Sequence, residues 1–414
     1  MNKNSIMEIN LNNQVVESQM RNKLDECLQE LKLNKQIIEQ SSDKRVTFSC
    51  LYNLEGEEVS AGSGNGLSSE VKSFAESIEH LFVYKFRSQI LKKSISEIKN
   101  QIEFKNDKIL NAIDKNEKIE TSLFRSLLEP QKLIYVPTNY VEMGSQERDF
   151  HKLTQYFSSS GFSFHSNFIE ATYHGLLELM ERHIYSKFLL GYYNAVSVNF
   201  EVVNSGNEAV DKWVFEHVKK MELQFNGKII LLLIISPFAV NTTLAIFYPN
   251  DNSSDKKILI PQIGSKCALN FGESLVGSIN ELNQVLYLYS DEEKNEDQKI
   301  LNKFLDDKNA LNIVLLSDIK SNVNSYCCFN DSRLNYSKSG VAKLLKTTED
   351  KISYLIIQLK DLGYYPLFRI INEFKNECCI VQTFIPGFEK FNLIRNGIKL
   401  EPHMKMITKN NKEI

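Results

Sequence analysis

Four glutamates carry the most legible chemistry in this chain: Glu76 with Glu79, and Glu178 with Glu181. Each pair sits at i and i+3, which puts both carboxylates on one face of a helix. Their neighbours are apolar: Phe74, Ile78, Leu81 and Phe82 around the first pair, Leu176, Leu177, Leu179, Met180, Ile184 and Phe188 around the second. Glu170, Ala171, His174, Glu178, Glu181 and Arg182 follow one another along one stripe of the second helix. Two carboxylate pairs drawn together repel unless a cation lies between them. Oxygen donors suit Mg²⁺, and Mg²⁺ usually arrives with phosphates. Arg182 is placed to contact a phosphate oxygen.

A small-residue stretch precedes each acidic helix. These are Gly62-Ser63-Gly64-Asn65-Gly66, Ser158-Ser159-Ser160-Gly161-Phe162-Ser163 and Gly264-Ser265-Lys266-Cys267-Ala268, the last before a helix with Glu281-Leu282-Asn283-Gln284. Such stretches let a backbone come close to phosphates. A glutamate pair three residues apart is more often a solvated helix face. Two copies, each after a small-residue turn and each among apolar neighbours, keep the metal reading open beside that one. A single histidine such as His174 is more often a packing or hydrogen-bonding group than a ligand. No GxxxxGK[ST] loop or kinase-type loop occurs, so an ATP site here is of an unusual kind.

The elements that must position these residues follow from periodicity. Val16, Met20, Leu24, Leu28 and Leu31 predict an amphipathic helix over 15–33. A strand is expected at 46–53 and a helix over 69–90. The charged stretch 97–125 reads as an outer helix or an insertion. Strands follow at 133–136, 196–203, 229–235 and 242–248, with helices over 167–190, around Trp213 and over 272–289. The apolar segment 313–316 reads as a further strand. A helix over 348–362 and strands around Phe368 and Ile380 close the chain. This order predicts a mixed α/β (α+β) fold, built of repeated strand–helix units in one compact core.

The chain has 414 residues, and its 49 basic and 52 acidic residues give a formal net charge of −3. That balance argues against a general nucleic-acid binder. Hydrophobic residues make up 42%, enough for a sizeable core. The longest pure apolar run, 229–235, is far short of a membrane span, and the N-terminus lacks a signal-peptide core. The cysteines (Cys27, Cys50, Cys267, Cys327, Cys328, Cys378 and Cys379) show no zinc-ligand spacing and read as reduced thiols of a cytoplasmic protein.

Four ordered segments resemble the motifs of the YcaO family. Ser163 through Glu170, His174, Glu178, Glu181 and Arg182 resembles its nucleotide-binding motif, which ends in ExxER. Ser73-Phe74-Ala75-Glu76-Ser77-Ile78-Glu79-His80 resembles its SxxExxER motif. Ser278 to Gln284 is similar to its TELNQ-like helix. Ile385-Pro386-Gly387-Phe388-Glu389-Lys390-Phe391 resembles its PGxExF signature. The resemblance covers about residues 45–400, flanked by an N-terminal helix in 1–44 and a polar tail at 401–414. It implies one YcaO-like unit with an ATP-binding core.

The resemblance further implies that ATP and Mg²⁺ are bound and that a peptide backbone amide is activated by O-phosphorylation. Attack by a Cys, Ser or Thr side chain then gives an azoline; external sulfide gives a thioamide and an amine gives an amidine. Glu76, Glu79, Glu178 and Glu181 would hold Mg²⁺, and Arg182 would touch phosphate. Glu178, Glu181 and Arg182 would carry the catalytic role. Ser73, Ser163, Ser166, Glu170 and His174 would line the nucleotide. Implied partners are a precursor peptide of ribosomal origin, such as a bacteriocin precursor, and a separate E1-like leader-recognition protein. A flavin dehydrogenase is a further candidate partner, and the family tendency is a homodimer or larger complex.

There are departures from the pattern. His80 stands where Arg is expected and His174 where Gln is common. No RxF motif can be placed, and Lys266 is the cation that could substitute. The Pro-rich PxPxP ending of many azoline-forming members is not seen after Glu401-Pro402. These departures motivate the alternatives of thioamide or amidine formation, and of a non-catalytic scaffold that presents substrate to another enzyme.

Overall fold

The protein is described by a computed structural model covering residues 3–114, 116–143, 151–193, 200–202, 208–250, 258–317, 319 and 344–400. Cys327, Cys328 and the tail 401–414 lie outside the described residues, as does most of the strand expected at 196–203.

In chain order the first elements are α1 (Lys3–Leu31), β1 (Asn34–Glu39), β2 (Val46–Tyr52), β3 (Glu58–Asn65) and α2 (Ser69–Lys85). Next come β4 (Leu91–Ser94), α3 (Ile95–Lys99), α4 (Lys108–Asn111), β5 (Lys118–Ser126), β6 (Leu133–Pro137), α5 (Thr138–Val141) and α6 (His151–Thr154). The middle of the chain holds β7 (Phe162–His165), α7 (Phe168–Tyr193), β8 (Phe200–Val202), α8 (Glu208–Gln224), β9 (Gly227–Ile234), β10 (Asn241–Pro249) and β11 (Gln262–Ala268). The last part holds α9 (Phe271–Leu288), α10 (Asp291–Lys303), α11 (Lys308–Leu315), α12 (Thr348–Asp361), β12 (Leu367–Glu373) and β13 (Cys379–Phe384).

The chain divides into two compact units. The first comprises residues 1–87, 161–175 and 369–382. In it β1, β2 and β3 form an antiparallel sheet, and β13 pairs antiparallel with β7, Cys379 opposite His165 and Gln382 opposite Phe162. The second comprises residues 88–160, 176–368 and 383–414. Its strands β11-β10-β9-β8 form one antiparallel sheet, and β5 pairs antiparallel with β4 and β6. A buried apolar layer in this unit joins Leu231, Leu233, Ala245 and Phe247 to Leu275, Ile279, Leu282 and Leu286 of α9. Burial of this kind contributes about 25 cal/mol per Å² of apolar surface and holds α9 to its sheet.

Two expectations need correction. Much of 97–125 is not an outer helix: Lys118–Ser126 is strand β5, with Ile119, Glu120, Thr121 and Ser122 buried. Its apolar Ile119, Leu123 and Phe124 are interrupted by Glu120, Thr121, Ser122 and Arg125, so no alternating pattern marks it as a strand. The segment 313–316 belongs to helix α11, not to a strand. Four apolar residues in a row fit either element, and burial of Ala310, Ile313 and Val314 at helical spacing settles it. Among the described residues no helix is long and apolar enough to cross a membrane.

Candidate functional site

In the first unit, α2 lies hard on β3 because both faces are small. A Cβ on Gly64 would fall 1.8 Å from Ser69 O, and one on Gly62 would fall 2.3 Å from Ser77 N. Ser69, Ser73 and Ser77 are buried in this contact and spend their hydroxyls locally. Ser73 Oγ donates to Glu70 O at 2.9 Å and Ser77 Oγ to Phe74 O at 2.8 Å. Ser73 therefore sits in the strand–helix layer.

The close packing turns Glu76 onto the edge of β3, where its Oε2 accepts the Ser63 N–H at 3.0 Å. Its Oε1 lies 3.7 Å from His80 Nε2, while His80 Nδ1 is 2.8 Å from Ala61 O. Glu79 reaches β7 instead, its Oε2 accepting the Phe164 N–H at 3.1 Å, one residue from Ser163.

After β7 the chain turns at Ser166 and Asn167. The Asn167 side chain accepts the Glu170 N–H at 3.0 Å and so caps the start of α7. The capped first turn brings Glu170 and His174 beside His165. The two imidazole rings stack with centroids 4.9 Å apart, and one ligand atom from each of the three residues lies within 4.8 Å of the others. Burial holds the His165 imidazole below its ordinary value, with the Glu170 carboxylate working the other way.

In the second unit, α7 carries Glu178, Glu181 and Arg182. Glu181 is only 4% exposed. Its Oε1 accepts the Ser265 hydroxyl at 2.6 Å, and its Oε2 accepts the Cys267 N–H at 2.9 Å. Arg182 lies 3.4 Å from Glu181 Oε1 and donates to Ser265 Oγ at 3.3 Å. Burial disfavours the Arg182 charge, but Glu181, Glu281 and Glu178 outweigh it and hold the guanidinium firmly protonated.

Strand β11 and helix α9 meet as closely as β3 and α2 do. A Cβ on Gly264 would fall 2.1 Å from Ser278 O. The Ser265 N–H donates to Glu281 Oε2 at 3.1 Å. Burial, and after it the neighbouring Glu181 carboxylate, push Glu281 up to about 7, with Arg182 and Lys266 opposing.

Glu181, Glu281 and Glu178 thus act on one partly exposed guanidinium, and Lys266 adds a second positive charge near Glu281. An excess of buried negative oxygen is costly unless a cation compensates it. A carboxylate has roughly four acceptor positions, so Glu181 keeps capacity beyond its protein contacts. The donor set is hard oxygen, and it fits Mg²⁺ with a phosphate on Arg182.

The segment 385–391 anchors α7 next to Arg182. Gly387 has φ +80°, and a Cβ there would fall 2.7 Å from Asn106 O. This turn stacks Phe388 on His183 at 4.2 Å and gives the Glu389 N–H to His183 Nδ1 at 2.7 Å. Lys390 donates to Tyr156 O at 2.9 Å, and burial brings its ammonium down to about 8 against the pull of Asp107.

The structure therefore places Ser73, Glu76, Glu79, Ser163, Ser166, Glu170 and His174 in the first unit, and Glu178, Glu181 and Arg182 in the second. Sequence reasoning did not single out Ser265, the Cys267 N–H, Glu281 or His165. Glu281 stood in a motif already read, but its proximity to Glu181 has no signature in one sequence. His165 had a findable signal, a histidine five residues before Glu170.

A family model described as YcaO cyclodehydratase, ATP- and Mg²⁺-binding, matches residues 62–389. A comparison with curated proteins finds no match. Among solved structures, a heterocyclase in complex with substrate and cofactor is similar, with a TM-score of 0.63 and 14% identity. The match covers 90% of this chain and 52% of that one, so the chain spans about half the length of that heterocyclase. A YcaO from Methanopyrus kandleri bound with AMPPCP and Mg²⁺ matches with a TM-score of 0.59 and 14% identity, covering 94% of each chain. The E. coli microcin synthetase McbBCD complex with pro-MccB17 bound matches with a TM-score of 0.58 and 15% identity, covering 85% of this chain and 86% of that one. At such identities the structures establish the fold, and the family model establishes the kinship. The chain belongs to the YcaO family and is a cyclodehydratase-like enzyme of ATP- and Mg²⁺-binding type.

Proposed function

We propose that this chain uses Mg·ATP to O-phosphorylate backbone amides of a ribosomally made precursor peptide, so that Cys, Ser or Thr side chains close to azolines. The observation that carries the reading is the acid excess around Arg182, in a chain whose family binds ATP and Mg²⁺. Bound Mg·ATP supplies the phosphoryl group that makes the amide oxygen a leaving group. Glu76 with Glu79, and Glu178 with Glu181, are the Mg²⁺ ligands. Arg182, fixed by Glu181 and Ser265, holds a phosphate oxygen and neutralises charge. Ser163, Ser166, Glu170 and His174 contact the nucleoside or the first phosphates, and Ser73 completes the nucleotide-binding set. The substrate's thiol or hydroxyl adds to the amide carbon, and the amide oxygen leaves as phosphate. One water is lost per ring while ATP becomes ADP and phosphate.

The solved McbBCD assembly, with its bound pro-MccB17, supports a precursor peptide and a protein partner for this chain. The partner in this reading carries the leader-recognition module. The test combines the protein with Mg·ATP, the precursor peptide and that partner. The expected product has lost one water per ring, with matching phosphate release. A sulfur-for-oxygen exchange would instead mark thioamide formation. Folded protein that binds no Mg·ATP by calorimetry overturns the reading. Because His80 pairs with Glu76 where an arginine was expected, a scaffold role is the second reading. Peptide-dependent ATP hydrolysis excludes it.

A further inference from the structure

We propose that Cys27 and Cys378 are a peroxide-responsive thiol pair that closes into a disulfide and ties α1 to the turn between β12 and β13. Both residues lie in the first unit. Both are free thiols at 0% exposure.

The turn brings them together. The Phe374 N–H donates to Cys378 O at 2.8 Å and the Glu377 N–H to Phe374 O at 3.1 Å, with Glu377 at φ +69° reversing the chain. The Asn376 side chain in this turn is spent on α1. Its Nδ2 donates to Lys23 O at 2.7 Å and to Glu26 Oε2 at 3.0 Å. The same amide touches both cysteines. Cys27 Sγ donates to Asn376 Oδ1 at 3.7 Å, and the Cys378 N–H donates to that oxygen at 3.2 Å. One side chain thus docks the turn on α1 and sets side by side two cysteines that most of the chain separates.

The two thiols act on each other unequally. The Cys27 thiol donates to the Cys378 sulfur, and this contact, helped by Lys23, holds Cys378 below its ordinary value against burial, Glu26 and Glu377. The same contact, and after it burial, push Cys27 up. Cys379, next along the chain, is pushed up to about 12 by burial and stands opposite His165 in the strand register. A thiol held low is the nucleophile, and its neighbour resolves the oxidised product.

Burial restricts the oxidant to a small one. Glu26, Lys375 and Glu377 are exposed, so the pair lies one side chain below the surface, within reach of hydrogen peroxide. The Cys378 thiolate attacks one peroxide oxygen and the O–O bond breaks. The leaving hydroxide takes up the proton that Cys378 had shed. The Cys27 sulfur then attacks the Cys378 sulfur, the S–O bond breaks, and the second hydroxide leaves as water with the Cys27 proton. Two thiols and one peroxide give one disulfide and two waters.

The test treats the reduced full chain with one equivalent of hydrogen peroxide, alkylates the remaining thiols and digests without reductant. A linked peptide pair joining Cys27 to Cys378 should appear, lighter by two hydrogens and separated again by dithiothreitol. Amide hydrogen exchange over residues 20–31 of α1 should slow by roughly 10-fold or more in the oxidised chain. Cys27→Ala should leave Cys378 as a sulfenic acid that dimedone traps, whereas Cys378→Ala should leave Cys27 unmodified. The mapping of the parent chain keeps the test decisive if either variant fails to fold. Full alkylation of both cysteines after peroxide treatment overturns the proposal. So does a link to a different cysteine, or unchanged exchange in α1.

Discussion

The β3–α2 and β11–α9 layers use the same backbone device to different electrostatic ends. In both, glycine in the strand lets a serine-bearing helix settle onto it, and a strand serine N–H is given to a helix glutamate. These are Ser63 to Glu76 at 3.0 Å and Ser265 to Glu281 at 3.1 Å. The environments then diverge. Glu76 keeps a side chain 36% exposed and a histidine beside it. Glu281 lies beside the buried Glu181 and the Arg182 guanidinium, and is pushed up to about 7. A repeated scaffold thus delivers carboxylates into two different surroundings, one open and one crowded by a second acid.

The strongest way to sharpen this comparison is Glu181→Ala against Glu76→Ala. Under the proposed mechanism both should cut peptide-dependent phosphate release, by about 10²–10³-fold or more. Only Glu181→Ala should also lose about 1–3 kcal/mol in urea unfolding, because the buried Cys267 N–H is left unpaired. Equal stability of the two variants would erase the distinction between a buried and an accessible carboxylate.

The likeness of the layers is tested next by Gly64→Ala and Gly264→Ala. The added methyl meets helix backbone at 1.8 Å at Gly64 and 2.1 Å at Gly264, so each should cost on the order of 3 kcal/mol. Tolerance of one and not the other would break the repeat.

The raised value of Glu281 predicts a pH effect. An acid whose folded value is raised binds its proton more readily in the folded state. Without Mg²⁺, stability from Glu281 should therefore be present below about 4.5 and fall as pH rises towards about 7. Urea midpoints across that window should fall less in Glu281→Gln than in the parent. An identical slope would mean Glu281 is charged throughout. The smallest expected effect is His80→Ala, which loses the contact to Ala61 O and should cost about 0.5–1.5 kcal/mol by thermal unfolding.

Much of this was legible because helices advertise themselves over many residues. The expectation of a helix over 167–190 against the observed Phe168–Tyr193, and of 272–289 against Phe271–Leu288, differ only at the ends. Strands of small or charged residues do not advertise themselves. Strand β11, Gln262–Ala268, has one β-branched residue, and its strand character comes from pairing with β10. Strand β5 hides Glu120 at 8% exposure, against every single-residue prior.

By itself the sequence determined which helices carry acids, at what spacing, and in what order the small-residue stretches precede them, because those are local periodicities. It also determined the family, because four ordered motifs survive where overall identity does not. Tertiary structure alone decided that Glu181 is locked between Ser265 and Cys267, that Glu281 crowds it, and that His165 lies against Glu170 and His174. These are meetings of residues brought together by sheet register and helix docking. The pKa of a carboxylate depends on its surroundings rather than on its place in the chain.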